Sequence, residues 1–417
     1  MDAGGQDEAA KTYSVASSQM LLARARKVDA LIDARPTLVF NGIERIGGYP
    51  LFVERASGAY VWDVDGNRYI DFILGYGSVI LGHAHPAVMQ AVDEENRRLG
   101  ANPTLLSIRQ VELAERVVSL SPMADSVTFL KTGSDATDAA IRLARAITGR
   151  KHVLRWGMNG WHDWCAPNST GVLDAVSRYT LLLRYNDLDH ARSLFSAHGD
   201  DVACAILMPY EIENPAPGFL EGLRELCHAH GALFILDEIR SGFRMSLGGA
   251  QAYFGIDADL VTYGKALGNG HAISALAGRS KYMKQILSLG LTVTYYRMPD
   301  AMAAGVATID ELRRSNAPRH LETIGRALMA GLDEAAIAEG VPARSVGLPW
   351  TPFINFSYPS EADCDRALRL FCNGMLCRGV LLTPVHHWFL CASMQMKDID
   401  ETIGAARDVF AEIRRTF

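Results

Sequence analysis

Five short apolar runs punctuate the middle of the chain: Ser126–Leu130, Val153–Arg155, Ala203–Met208, Leu233–Asp237 and Leu260–Tyr263. Each is too short for an ordinary helix, and most are too uniformly apolar for a strand with one face in water. Strands of this kind need cover on both faces. The segments Pro86–Arg98, Ile108–Leu120, Asp135–Thr148 and Leu220–His230 carry the helical spacing that supplies it, and Gly149 closes the third of them. The alternation predicts an α/β chain built on a mainly parallel sheet.

The flanks read differently. Residues 1–12 are polar and expected to be disordered, and a helix over Gln19–Ala34 is ended by Pro36. Leu51–Glu54, Ala59–Asp63 and Tyr69–Ile73 read as a small β-meander, with a tight turn at Asp65-Gly66. Beyond Thr294 one long amphipathic span runs from Ala301 to about Gly340. A final α+β unit follows, with strands at Phe353–Ser357 and Val380–Thr383, a helix over Ala362–Gly379 and a last helix from about Lys397. The expected division is an N-terminal segment and meander (1–80), a large domain (81–310) and a C-terminal α+β domain (311–417).

Charge and cysteine usage narrow the class. Lys and Arg number 41 against 47 Asp and Glu, a net charge of −6, and no dense basic run favours nucleic acid or an anionic membrane. Arg142, Arg145, Arg150, Lys151 and Arg155 read as a helix surface and helix end, where cations are favoured. The 7 cysteines form no CxxC pair and no cluster at metal spacing, so reduced thiols and no metal site are expected. No apolar stretch reaches bilayer length, and the first residues lack the layout of a signal peptide. A cytoplasmic protein acting on a small molecule is the expectation.

Three features then point to one chemistry. Asp237 closes a buried apolar run, the place where open α/β sheets bind ligands. Lys265 follows another such run and is trailed by Gly268 and Gly270, which let backbone approach a ligand closely. Lys131-Thr-Gly133-Ser134-Asp135 joins a strand to an Ala-rich helix, and the first amides of such a helix bind phosphate. Singly, these are a turn aspartate, a surface lysine and a routine cap. Together they suit pyridoxal phosphate: a lysine amine for its aldehyde, a carboxylate for its pyridine nitrogen and amides for its phosphate.

The stretches "GAYVWDVDGNRYIDF", "LGHAHPAV", "GSDATDAAIRLARAITGR", "PGFLEGLREL", "DEIRSGFR" and "DLVTYGKALGNG" resemble the class III aminotransferases, most of all their glutamate-1-semialdehyde aminomutase branch, from about Gly47 onward. The resemblance implies the pyridoxal-phosphate-dependent transferase fold type I: a mainly parallel seven-stranded sheet in a large domain, plus a small α+β domain built from both termini. It implies that Lys265 forms the aldimine and shuttles a proton, and that Asp237 pairs with the pyridine nitrogen. Gly133 and Ser134 would hold the phosphate, Trp161 (followed by His162) would stack on the ring, and Ile239 would pack on its other face. Tyr76 falls at a substrate-pocket position. Thr294 matches a threonine that reaches the neighbouring subunit's phosphate, which implies a homodimer with shared sites.

The departures from that pattern bear on substrate. Trp161-His162-Asp163-Trp164 adds bulk and charge beside the ring, Met208-Pro209 lacks a carboxylate common in the family, and Thr294-Tyr-Tyr-Arg297 replaces small residues. Arg297 suits an acidic substrate group or an intersubunit ion pair equally. His386 and His387 stand where aminomutases carry an acidic residue and read mainly as surface residues, with a place at the substrate entrance as the other reading. Phe389–Ser393 lacks the arginine that binds an α-carboxylate in many relatives, and Arg45 is a possible substitute. The expected activity is transfer of an amino group from an amine or amino acid to a keto or aldehyde acceptor. An ammonia-lyase or an aminomutase acting on a small acidic amino compound is the alternative.

Overall fold

The computed structural model describes residues 13–30, 32, 52–168, 170–292 and 294–417. Arg45, and the part of the expected first helix around Pro36, lie outside the described residues. The first described helix is Ala16–Ala25.

Three short strands come next, β1 (Val53–Ser57), β2 (Tyr60–Asp63) and β3 (Arg68–Asp71). The central sheet draws on β4 (Ser126–Leu130), β5 (His152–Trp156), β6 (Thr180–Leu182), β7 (Val202–Leu207), β8 (Leu233–Asp237), β9 (Leu260–Tyr263) and β10 (Ser274–Gly278). The chain closes with β11 (Ala343–Leu348), β12 (Thr351–Phe356) and β13 (Val380–Leu381).

The central sheet has the order β4-β10-β9-β8-β7-β5-β6, and β10 alone runs antiparallel to its neighbours. Side-chain alternation sorts β7 and β8 into two cores. Ala205, Leu207, Phe234 and Leu236 join one cluster, while Cys204, Ile206, Leu233 and Ile235 join the other. The second cluster is closed by the Gly133–Thr148 helix through Ala136, Ala139, Ala140, Leu143 and Ala144. That alanine-rich face lets the helix lie close on the strands.

The meander is completed from the far end of the chain, because β13 adds in parallel to β3. The small α+β unit is therefore built from both termini.

The expected single span from Ala301 to Gly340 is two helices, Pro299–Ser315 and Ala317–Glu339. Asn316 between them adopts φ 48°, a left-handed conformation that asparagine tolerates, and Pro318 restarts the helix within its first turn. Continuous amphipathic spacing hid that break. Strands β6, β10 and β11 were also absent from the expectation. Ser274–Gly278 is a Ser/Ala/Gly run with one leucine, which carries little strand signal of its own.

Candidate active site

Gly133, Ser134, Asp237, Ile239 and Lys265 lie at or just past the carboxyl ends of β4, β8 and β9. Asp237 ends β8 and is buried. Its Oδ2 accepts from Asn159 Nδ2 at 2.8 Å, and its Oδ1 accepts from the Ile239 amide and Thr262 Oγ1, each at 3.2 Å. Burial pushes the carboxyl up, and these three donors together with Lys265 oppose that. Asn159 was missed from sequence. It lies in the glycine-flanked Gly157-Met-Asn-Gly160 turn after β5, and nothing local distinguishes it from an ordinary turn asparagine.

Lys265 sits two residues past β9, after Gly264, with φ 42°. Non-glycine residues pay strain at positive φ, and such residues cluster where a side chain must be aimed. Burial pushes its amine down to about 8; Arg240 pushes the same way, and more strongly than Asp237 opposes it. A far larger share of such an amine is neutral near pH 7 than of a free lysine.

Gly133 and Ser134 open the helix after β4. Thr132 caps it: the Asp135 amide donates to Thr132 Oγ1 at 3.3 Å, and the Ala136 amide donates to the Thr132 carbonyl at 3.2 Å. The amides of Gly133 and Ser134 are thus the first-turn donors left for a ligand. A Cβ at Gly133 would stand 2.8 Å from Ile239 Cδ1, so Ile239 packs directly on this glycine and a larger residue would push it aside. The turn after β5 is fastened to the same helix. The Trp161 amide donates to Ser134 Oγ at 3.3 Å, Thr137 Oγ1 donates to the Asn159 carbonyl at 2.7 Å, and a Cβ at Gly160 (φ +115°) would lie 2.6 Å from Ser134 Oγ.

Other expected residues stand farther out. The Trp161 side chain is 71% exposed, edge-on to His162 with ring centroids 5.7 Å apart. His162 Nδ1 lies 4.0 Å from Asp138. Thr294 is exposed, and its carbonyl accepts from Asn102 Nδ2 at 3.2 Å. Arg297 is exposed, with its guanidinium 4.6 Å from the centre of the Tyr296 ring. Tyr76 is half-buried with φ 56°, and its ring meets His386 edge-on at 5.6 Å.

His386 and His387 correct the reading of them as surface residues. His387 is buried beside Arg240, and His386 is half-buried against Tyr76 and Phe389. Burial, first, and positive neighbours that include Lys265 and Arg240 push the imidazoles down to about 4 and about 3, so both are neutral at pH 7. The segment looks exposed in sequence because it is polar and follows a proline; packing against Phe353 and Phe389 buries it.

The sequence profile of the class III aminotransferases (Aminotransferase class-III) matches residues 44–163 and 159–396, and the chain belongs to that family. It is 37% identical over 377 residues to a 3-aminobutyryl-CoA aminotransferase of Cloacimonas acidaminovorans, covering 88% of this chain and 91% of that protein. It is 38% identical to a glutamate-1-semialdehyde 2,1-aminomutase of Syntrophobacter fumaroxidans, covering 88% and 92%. Among solved structures, the PLP internal aldimine form of FumI from Sphingopyxis sp. MTA144 superposes with a TM-score of 0.88 at 30% identity, covering 96% of this chain and 97% of that one. The fold is the pyridoxal-phosphate-dependent transferase fold type I, and the chain is a pyridoxal-phosphate-dependent aminotransferase. Among the described residues no helix is long and apolar enough to cross a membrane.

Proposed function

We propose that Lys265 Nζ would hold the aldehyde carbon of pyridoxal phosphate and, when not bonded to it, would carry the proton at the substrate carbon. The observation that carries this is the meeting of Lys265 and Asp237 at adjacent strand ends. One is an amine with its affinity for protons lowered, the other a carboxylate fixed by three donors. When bound, the cofactor supplies a pyridine ring that accepts the electron pair left when the substrate's C–H bond breaks. Asp237 keeps the ring nitrogen protonated. Burial leaves this carboxyl short of compensation from the protein alone, which fits a cationic partner. Gly133 and Ser134 take the phosphate, Ile239 supports one ring face and Trp161, with His162 behind it, covers the other.

In this reading the working unit is a homodimer, with Thr294 of each copy serving the other's phosphate. The exposure of Trp161, Thr294 and Arg297 in one chain supports that arrangement. Small amines or amino acids are the partners, Tyr76 contributes to their pocket, and Arg297 meets the substrate or the second copy. The buried thiols of Cys165, Cys204, Cys227, Cys372 and Cys391 suit the cytoplasm. Amino transfer within one molecule is the second reading, carried by the aminomutase relatives.

The test is reduction of the cofactor-loaded protein with borohydride, followed by peptide mapping, and titration with a donor panel under visible absorbance. The expected result is an adduct on Lys265 and stoichiometric conversion to the aminated cofactor. An adduct elsewhere overturns the assignment, and accumulating ammonia with an unconverted cofactor makes the reaction an elimination. Conversion and product formation without any separate acceptor would favour the intramolecular reading.

A further inference from the structure

Arg240 follows Ile239 in the turn after β8 and is 6% exposed. Its Nη2 donates to the Tyr210 carbonyl, its Nη1 lies 3.3 Å from His387 Nδ1, and the guanidinium lies 5.1 Å from the centre of the Tyr210 ring. Among the described residues Glu211 is the one carboxylate within ion-pair range, at 3.9 Å and with its side chain 46% exposed. A wet carboxylate at that distance compensates a buried cation poorly. A guanidinium cannot shed its proton, so burial leaves it seeking an anion.

His387 adds a second donor. Arg240 has no lone pair to offer, so His387 Nδ1 must accept and the ring proton must sit on Nε2. That Nε2 is buried and has no hydrogen-bond partner among the described residues. Arg244 is also buried: its Nη1 and Nη2 donate to two carbonyls, of Leu390 and Gly77, at 3.0 and 2.6 Å, and its Nε has no partner among the described residues, whereas Arg240 donates to one carbonyl and lies beside His387. The charge of Arg240 also lowers the proton affinity of the Lys265 amine, ahead of Arg244, which acts in the same direction.

We infer that Arg240, with His387 Nε2–H beside it, anchors a carboxylate of the amino substrate, so that this enzyme selects amino acids over simple amines. The inference rests on the reading that the substrate amine is exchanged at Lys265. It assigns to Arg240 the acid-binding role for which Arg297 and Arg45 were the candidates in sequence. Arg240 escaped notice there because it lies inside the DEIRSGFR block, where Asp237 draws the eye.

The test uses the cofactor-loaded enzyme and donor pairs in which methyl replaces carboxylate: alanine with 2-aminopropane, β-alanine with propylamine, and 4-aminobutyrate with butylamine. The rate of cofactor conversion gives kcat/KM for each. In the wild type the acid member of at least one pair should lead. In Arg240→Gln the acid-to-amine ratio for that pair should fall roughly 10- to 100-fold, the loss expected for one charged hydrogen-bond pair, and Arg240→Lys should recover part of it. Competition in the wild type by propionate but not propanamide gives the same answer without a variant. Equal loss for both members of each pair would make Arg240 a scaffold and overturn the inference, as would reaction of amines alone in the wild type. Either result leaves the Lys265 assignment standing. Failure of every donor, with borohydride label away from Lys265, would remove that assignment and this inference with it.

Discussion

Asp237 ends one strand of the central sheet and Trp161 lies beyond another at the same side, yet the first is 2% exposed and the second 71%. The floor of the site is set by strand ends. Asp237, Thr262 and Lys265 inherit their positions from β8 and β9, whose residues are buried throughout, so backbone hydrogen bonds hold them to within small displacements. The rim is set by loops, and Trp161, Thr294 and Arg297 present side chains to solvent in a single chain. The difference teaches that a floor is a property of one fold, whereas a rim of this kind becomes a site only when something covers it. Loops carry such parts because they tolerate change without cost to the core.

That contrast ranks the expected effects of substitution. Lys265→Ala removes the covalent link and the proton carrier together, and turnover should drop by about 10³-fold or more in a steady-state assay. A near-wild-type rate would break the floor's claim to the chemistry. Asp237→Asn keeps the shape but loses the buried charge, and kcat should fall roughly 10²- to 10³-fold.

The pH profile sharpens the same point. Lys265's amine is pushed down to about 8, so its neutral fraction grows as pH rises through that value. The rate at which the cofactor-free protein takes up pyridoxal phosphate should therefore rise about tenfold from pH 7 to 9 and then level. Arg240→Gln should move the midpoint upward, since a positive neighbour has been removed. An unchanged midpoint would show that burial alone sets it. Folding linkage has a matching sign: below about 8 the amine is charged folded and unfolded alike, and stability of the cofactor-free protein should increase from there toward the free-lysine value.

Gly160→Ala tests the seam between floor and rim. It introduces a Cβ 2.6 Å from Ser134 Oγ at φ +115°, and cofactor affinity should weaken about tenfold in a reconstitution titration. At the rim itself, the role proposed for Thr294 predicts that Thr294→Ala costs about threefold to tenfold in cofactor affinity, the worth of one hydrogen bond. A rim effect as large as that of Asp237→Asn would erase the distinction between the two regions.

Legibility followed the same line. Short apolar runs announced β8 and β9 at their observed bounds, because strands buried on both faces allow few polar residues, and the apolar Val127, Phe129 and Leu130 marked the half-buried edge strand β4. Glycines and a lysine just past those runs then located the floor. Asn159 and Arg240 were not legible in their present surroundings, and His387 was read mainly as a surface residue with the substrate entrance as the other reading, since each depends on contacts between segments far apart in sequence. β10 was hidden by its small residues, and the helix break at Asn316 by unbroken amphipathic spacing on both sides.

The parallel pairing of Val380 and Leu381 with Ile70 and Asp71 has a consequence for how the chain is made. On the ribosome, β3 leaves the exit tunnel with one edge unpaired, and the strand that covers it is still roughly 300 residues from being synthesised. At ~5–20 residues per second that edge stays open for about 15–60 s. An open edge is a template for another chain's strand. During that interval a nascent polypeptide on a crowded polysome has neighbours carrying the same unpaired edge, and a chain truncated before Val380 would keep it permanently.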